Sequence, residues 1–426
     1  MGAGKATIHE KKESEIRALS GLRALDLTSE FGFFCGKILA QFGVDVIKIE
    51  RPGGDPARNF GPFYHDVPDP EKSLFWFAFN DSKRGITLNI ETQEGQDIFK
   101  KLVTTADFVL ESFPPGYMDK LGLGYKELSA INPRLIMASI TPFGQTGPYK
   151  NYKATDLIAM AMGGIMSLTG EPGGVPCRLS PNHAYCLAST NAALATMIAY
   201  YYRTWSGEGQ YIDISLSECA TREDYYEVPV SWEFGRYNAG RNGDRMFRYN
   251  VYTRTIWPCK DGHVTWSLFG GTIGASENKQ LARWLEEEGL LGDLKDIDWD
   301  QFGFSGITQE KIDQIERPVG ELLQRYTKKE LEDESLKRGV RISAVNDVGD
   351  LYENRQLQFR KYWKAIEHPE LSDVVTYPGQ LFLSNETKTG PWHRAPLIGE
   401  HNKEIYEGEL GFARTTVASL RKRGVI

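Results

Sequence analysis

The sequence predicts an α/β protein whose large domain is a doubly wound, Rossmann-like sheet. Three observations predict it. Short β-branched apolar runs recur through the N-terminal half, as in strands buried on both faces. Helix-like segments alternate with them, and β-α-β order implies parallel strands with right-handed crossovers. One run, Val44, Val46, Ile47 and Ile49, stops at Arg51-Pro52-Gly53-Gly54-Asp55, where the backbone must turn. Arg51 then stands just past the carboxyl end of a strand, where open α/β sheets bind ligands. Its guanidinium suits a phosphate, and a pair with a carboxylate such as Asp55 is the other reading.

Residues 1–20 read as a charged lead-in, and Met1 to Glu15 lacks the apolar core of a signal peptide. Leu22–Leu27 is strand-like, Gly32–Phe42 helical, and the Val44 run closes a β-α-β unit. Leu74–Asn80 is an aromatic helix, Asp81–Gly85 a turn carrying Lys83 and Arg84, and Ile86–Asn89 a strand. Glu94–Thr104 is an amphipathic helix and Ala106–Glu111 a strand. Past Phe113-Pro114-Pro115-Gly116 come short helices, Met118–Gly122 and Lys126–Ile131, then a strand, Pro133–Ser139. Thr141–Pro148 has too many glycines and prolines to be other than loop. Asp156–Leu168 is an apolar helix holding Gly163-Gly164, and close packing is the reason to keep glycines there. Gly170–Pro181 is loop, Ala184–Thr204 a long apolar helix, and Gln210–Leu216 a strand.

The character changes after Thr221. Residues 222–258 are rich in Tyr, Arg, Trp and Asn and low in aliphatics, as in a linker or an insertion into a second domain. A strand, Gly262–Leu268, and helices Gln280–Glu288, Lys311–Thr327 and Lys328–Arg338 make a second, smaller α+β domain. The chain returns through Pro369–Asn385 and Trp392–Glu400, and a helical tail, Asn402–Gly411, packs on the first sheet. The expected organisation is a lead-in (1–20), the N-terminal part of the large domain (21–221), a linker and small domain (222–350), and a return segment with the rest of the large domain (351–426).

Of the 426 residues, 41% are apolar and 25% charged, ordinary for a soluble globular protein. Lys plus Arg number 50 against 57 Asp plus Glu, so a net charge of −7 speaks against nucleic acid as partner. No stretch approaches the roughly 20 apolar residues of a membrane span. The five cysteines are scattered with no C-x-x-C, so neither a zinc site nor a disulfide framework is expected, and a reducing cytoplasm is the simplest home. The histidines show no H-x-x-H metal spacing.

Several phrases together resemble the class III CoA-transferase family. They are Val46 to Asp55, Phe79-Asn-Asp-Ser-Lys-Arg84, Glu111-Ser-Phe-Pro-Pro-Gly116, Asp119 to Tyr125, Ile131 to Ile136, Phe143-Gly-Gln-Thr-Gly-Pro148, Ser206 to Gln210 and Arg394 to His401. The resemblance implies a large domain formed by both chain ends, a small middle domain and an interlocked dimer. It implies a CoA thioester as substrate and no permanently bound cofactor. Arg51, Lys83 and Arg84 would hold CoA phosphates, and Lys120 and Leu121 would flank the adenine and pantetheine. The family's small-Gly-Pro phrase before the first helix reads Phe31-Gly32-Phe33-Phe34 here.

Family chemistry uses an Asp that attacks the thioester, forms a mixed anhydride and becomes an aspartyl-CoA thioester. Counting from Gln210, it falls at 210 − 185 = 25 residues before, and position 185 is Tyr. No Asp or Glu stands between Glu171 and Glu208. The racemase branch fares no better, since Thr155 replaces the His expected before Asp156. His183, Tyr185 and Cys186 read as the packed start of a helix, and Asp156 as a helix cap or a substitute nucleophile. The resemblance then implies a subunit without its own nucleophilic Asp, paired with an Asp-bearing paralogue. Together they would move CoA from a thioester such as succinyl-CoA to an aromatic-pathway acid such as benzylsuccinate. A homodimer using another nucleophile, or a CoA-binding scaffold, are the alternatives.

Overall fold

In a computed structural model the chain is described for residues 17–223 and 240–426. The lead-in up to residue 16 and residues 224–239 of the aromatic segment lie outside the described residues. Two compact units emerge, one from residues 17–165, 178–223 and 359–426, the other from 166–177 and 240–358.

The main sheet of the first unit has six strands: β1 (Arg23–Leu27), β2 (Asp45–Glu50), β3 (Arg84–Thr87), β4 (Phe108–Glu111), β5 (Ile136–Thr141) and β6 (Gln210–Ser215); an antiparallel pair, Trp363–His368 with Asp373–Pro378, stands apart from it. The order in the main sheet is β3-β2-β1-β4-β5-β6 and every pair in it is parallel. This is the α/β sheet expected. Its helices include α1 (Phe33–Gln41), α2 (Leu74–Asn80), α3 (Gln93–Val103), α4 (Tyr117–Lys120), α5 (Tyr125–Ile131), α6 (Asp156–Met162), α7 (Ile165–Leu168), α8 (His183–Ser206) and α9 (Leu216–Glu223), of which α7 runs across the boundary between the units.

Alternation along the strands sorts the two faces. Leu25, Leu27, Ile47, Ile49, Ile86 and Val109 join a core with α3, which buries Ile98, Phe99 and Leu102. The opposite face is covered by α1, buried on nearly every side. There β1 and β2 present Asp26 and Lys48, direct neighbours in register and fully buried. Lys83 joins them, its Nζ 2.8 Å from Asp26 Oδ2. Helix α1 lies so close that a Cβ on Gly36 would sit 2.3 Å from that oxygen.

The tail returns to β3. Asn402 accepts the Thr87 N–H at 2.9 Å, and the Tyr406 hydroxyl donates to the Thr87 carbonyl at 2.7 Å. It winds as a π-helix over Lys403–Glu409. The expected helix Asp156–Leu168 is broken in two. Gly164 takes a left-handed φ of 95°, and a Cβ on Gly163 would meet the Ala220 Cβ at 2.4 Å, so α6 ends where α9 presses on it. Strand β3 starts earlier than expected, which moves Arg84 out of the turn and into the sheet.

The second unit has antiparallel pairs, Arg245–Arg248 with Val251–Arg254 and the three-stranded Ser343–Ala344, Gly262–Thr265 and Ile256–Cys259. Helix Gln309–Leu323 buries Ile312, Ile315, Val319 and Leu322 against Trp257, Trp266 and Trp284. Helix Lys328–Arg338 starts on a Thr327/Glu330 capping box and ends on a left-handed Gly339.

Gly36→Ala should lower stability by about 1–3 kcal/mol, because its methyl group displaces a buried carboxylate. Denaturant unfolding of the two chains measures it; an unchanged midpoint would refute the close approach.

Candidate active site

Because all six strands are parallel, their carboxyl ends share one edge. The chain builds outward from β1 to β3 on one side, then from β4 to β6 on the other, so β1 and β4 flank the switch point. A cavity of about 470 Å³ opens there. Thr28, Ser29 and Glu30 line it after β1, Arg51 after β2, Ile90 after β3 and Ser112 after β4.

The loop after β1 is tied on both sides. The N–H and hydroxyl of Thr28 donate to Asp26 Oδ1 at 3.0 and 2.6 Å, and Lys48 donates to the Thr28 carbonyl. The Ser29 N–H donates to Ser112 Oγ at 2.6 Å, joining β1 to β4. Glu30 follows, half-buried at the cavity wall. Burial raises its pKa above the usual carboxylate range; a backbone hydrogen bond opposes the shift and Asp55 adds to it.

Arg51 is exposed and lines the cavity, and among the described residues its guanidinium makes no ion pair. Asp55 is not its partner: that carboxylate accepts the Ala57 N–H at 2.9 Å and lies 4.0 Å from Lys48. The turn after Arg51 has Gly53 and Gly54 at φ 92° and 94°. It is anchored by Arg58, which pairs with Glu50 at 2.6 and 2.8 Å and stacks 3.9 Å over the Trp76 ring.

The other expected cations are placed differently. Lys83 is buried, and its three protons go to Asp26, the Phe33 carbonyl and Asn80, each at 2.8 Å. Burial lowers its pKa, with Asp26 opposing. Burial alone would raise Asp26, but Lys83 and Lys48 hold it below its usual value. Arg84 forks onto Asp45 at 2.8 and 2.6 Å and reaches Glu404 and Glu409 at 2.8 and 2.7 Å. Neither side chain has a free face for a phosphate, which goes against the expectation that both hold CoA phosphates. Lys120 is exposed and Leu121 half-buried against the core; neither lines the cavity, whereas Tyr117 of the same helix does. Phe33 and Phe34 do not fill it either: Phe33 packs under α1 against Trp76, and Phe34 meets Phe79 edge-on.

Tyr185 is buried in the first turn of α8, its ring 5.6 Å from that of Phe31. Burial, with Glu30 and Asp156 adding, pushes its pKa up to about 12, so the phenol stays neutral. Asp156 accepts the N–H groups of Asn182 and Tyr185 at 3.1 and 3.2 Å. It caps the start of α8, not its own helix. Burial, then Asp156, raises the Cys186 thiol, which opposes a thiolate there. Among the described residues no group of His, Cys, Asp or Glu could hold a metal.

Residues 19–402 match the model of CoA-transferase family III. The chain belongs to this family. It is 32% identical to the succinyl-CoA:(R)-benzylsuccinate CoA-transferase subunit BbsE of Thauera aromatica, over 96% of this chain and 98% of that protein. It is 41% identical to a succinate–glutarate CoA-transferase of Agrobacterium fabrum, over 91% and 94% of the two chains. A crystal structure of a CaiB/BaiF family protein from Brucella suis superposes with a TM-score of 0.78 at 27% identity, covering 92% of this chain and 98% of that one.

Within this family III chain, Arg51, singled out from the sequence, lines the cavity, while Glu30, which also lines it, and Glu111, which lines a neighbouring one, were not. Glu111 ends β4 and accepts the Phe113 N–H at 2.7 Å; burial pushes its pKa up to about 7, with Ser139 opposing. A carboxylate closing a buried strand was the available signal. Between pH 4.5 and 7 the folded chain keeps that proton and the unfolded chain does not, so stability falls as pH rises through this window. Glu111→Gln should flatten the fall by about 3 kcal/mol. Denaturant unfolding at both ends of the window checks it, and equal slopes would remove the assignment.

Proposed function

We propose that this chain is a subunit of a heteromeric CoA-transferase that exchanges CoA between a thioester, such as succinyl-CoA, and a carboxylic acid. The carrying observation is the switch-point cavity with Arg51 at its mouth, free for a phosphate. Lys120, on the exposed end of the helix that brings Tyr117 to the cavity wall, is the second cation offered to the nucleotide, and Leu121 beside it the apolar flank. Lys83 and Arg84 shape the site from below and do not touch the ligand.

The partner is an Asp-bearing paralogue. Tyr185, a neutral phenol, is a poor acyl acceptor, and the similarity to a protein named as a subunit supports shared labour. An apolar stripe on α8 supports an interlocked partner: Leu194, Ile198, Tyr201 and Trp205 follow helical spacing, and Trp205 is 75% exposed. The acceptor acid is aromatic in this reading, as benzylsuccinate in anaerobic toluene breakdown. The large domain from both chain ends, the small middle domain and a cytoplasmic home belong to the same proposal. The five cysteines are free thiols, and no described helix is long and apolar enough to cross a membrane. A second reading, in which the chain runs the exchange itself, is favoured by Glu30 in the cavity.

Succinyl-CoA and benzylsuccinate are the test pair. The mixture with an Asp-bearing paralogue should turn over at least about tenfold faster than this chain alone. Equal rates would sink the heteromeric reading. Arg51→Ala should weaken CoA binding about tenfold by calorimetry, the worth of one charge-assisted contact, without shifting the unfolding midpoint. Unchanged affinity would remove Arg51 from the site.

A further inference from the structure

We propose that Glu30 is a carboxylate nucleophile carried by this chain, so that its own cavity can accept an acyl group although Tyr185 stands in the aspartate's place. The inference rests on the CoA-transferase reading above.

Elimination among the carboxylates of the cavity leads to it. Glu50 is held by both arms of Arg58 and by the Asp55 N–H at 2.8 Å. Asp55 caps the following turn. Glu91 accepts the Tyr117 hydroxyl at 2.8 Å, at the exposed rim. Glu30 makes no ion pair among the described residues; its hydrogen bonds are local, to its own backbone and to the neighbouring Ser29 hydroxyl, and it lines the cavity.

Its position adds a second argument. Ser189 of α8 donates to the Phe31 carbonyl at 3.0 Å, and Tyr185 packs on the Phe31 ring. These contacts dock the first turns of α8 onto the loop that carries Glu30. The side chain that replaces the aspartate and the carboxylate that could do its work therefore share one place, and Glu30 contributes to the upward shift of Tyr185. Partial burial strips water from the Glu30 carboxylate and makes it more basic, which favours attack. The Ser29 and Ser112 hydroxyls, 3.0 Å apart on the same wall, are the donors at hand for an oxyanion.

The steps balance. A Glu30 oxygen attacks the thioester carbonyl, the C–S bond breaks, and a mixed anhydride and CoA thiolate result. The thiolate attacks the Glu30 carbonyl, giving a glutamyl-CoA thioester and releasing the first acid as its carboxylate. The incoming carboxylate attacks this thioester, forming a second anhydride and thiolate. Thiolate attack on the acceptor's carbonyl then yields the new CoA thioester and restores Glu30.

Trapping tests it. The full chain is incubated with succinyl-CoA and then hydroxylamine, which turns an activated carboxyl into a hydroxamate that peptide mass spectrometry locates. The trap is repeated with an Asp-bearing paralogue present, and CoA binding is followed by calorimetry. The expected result is a hydroxamate on Glu30, reduced at least about a hundredfold in Glu30→Gln, which still binds CoA, and retained in part in Glu30→Asp. Label on Asp156 or Glu111, label confined to the paralogue, or no label on a chain that binds CoA overturns the proposal. A chain that binds no CoA overturns the functional reading and this proposal together. Mapping on the unmodified chain decides the matter even if a variant fails to fold.

Discussion

The buried carboxylate of Asp26 is the interaction the large unit is arranged around. It sits beside Lys48 on the next strand, receives Lys83 from the start of β3, and is covered by α1 at the one residue, Gly36, with no side chain to clash. Three buried charges of this kind are tolerated only because nearly every proton and lone pair has a partner. Removing one partner of such a set costs about 3–5 kcal/mol, since the others are left charged in a dry interior. The same carboxylate accepts from Thr28 and so directs the chain out of β1 toward the cavity. Fold and site therefore share an anchor.

Three cations near this anchor differ in what surrounds them. Arg51, Lys83 and Arg84 all stand near the ends of neighbouring strands, and their sequence surroundings look alike. Burial separates them. Lys83 faces the polar seam beneath α1 and Arg84 the carboxylates of β2 and the tail, while Arg51 stays in water at the cavity mouth. A guanidinium already forked onto a carboxylate offers little to a phosphate.

At the start of α8, position 185 is a buried tyrosine. Tyr185 is buried against Phe31, and Asp156 turns both oxygens to the helix N-terminus, where the orphan N–H groups need acceptors. The carboxylate that remains near this spot, Glu30, comes from the loop after β1. Family membership points to the kind of reaction, CoA transfer.

The sequence by itself determined the sheet and its motifs. Short apolar, β-branched runs announced β1, β2, β4 and β6, the Pro-Gly-Gly break announced the turn after Arg51, and Gly163-Gly164 announced a close helix contact, because these signals are local and steric. What only tertiary structure decided was which polar side chains face which neighbours. The partners of Lys83, Arg84, Asp156 and Glu30 come from distant parts of the chain. Whether a charge is neutralised in the interior or left free in a cavity depends on that meeting, and no local pattern records it.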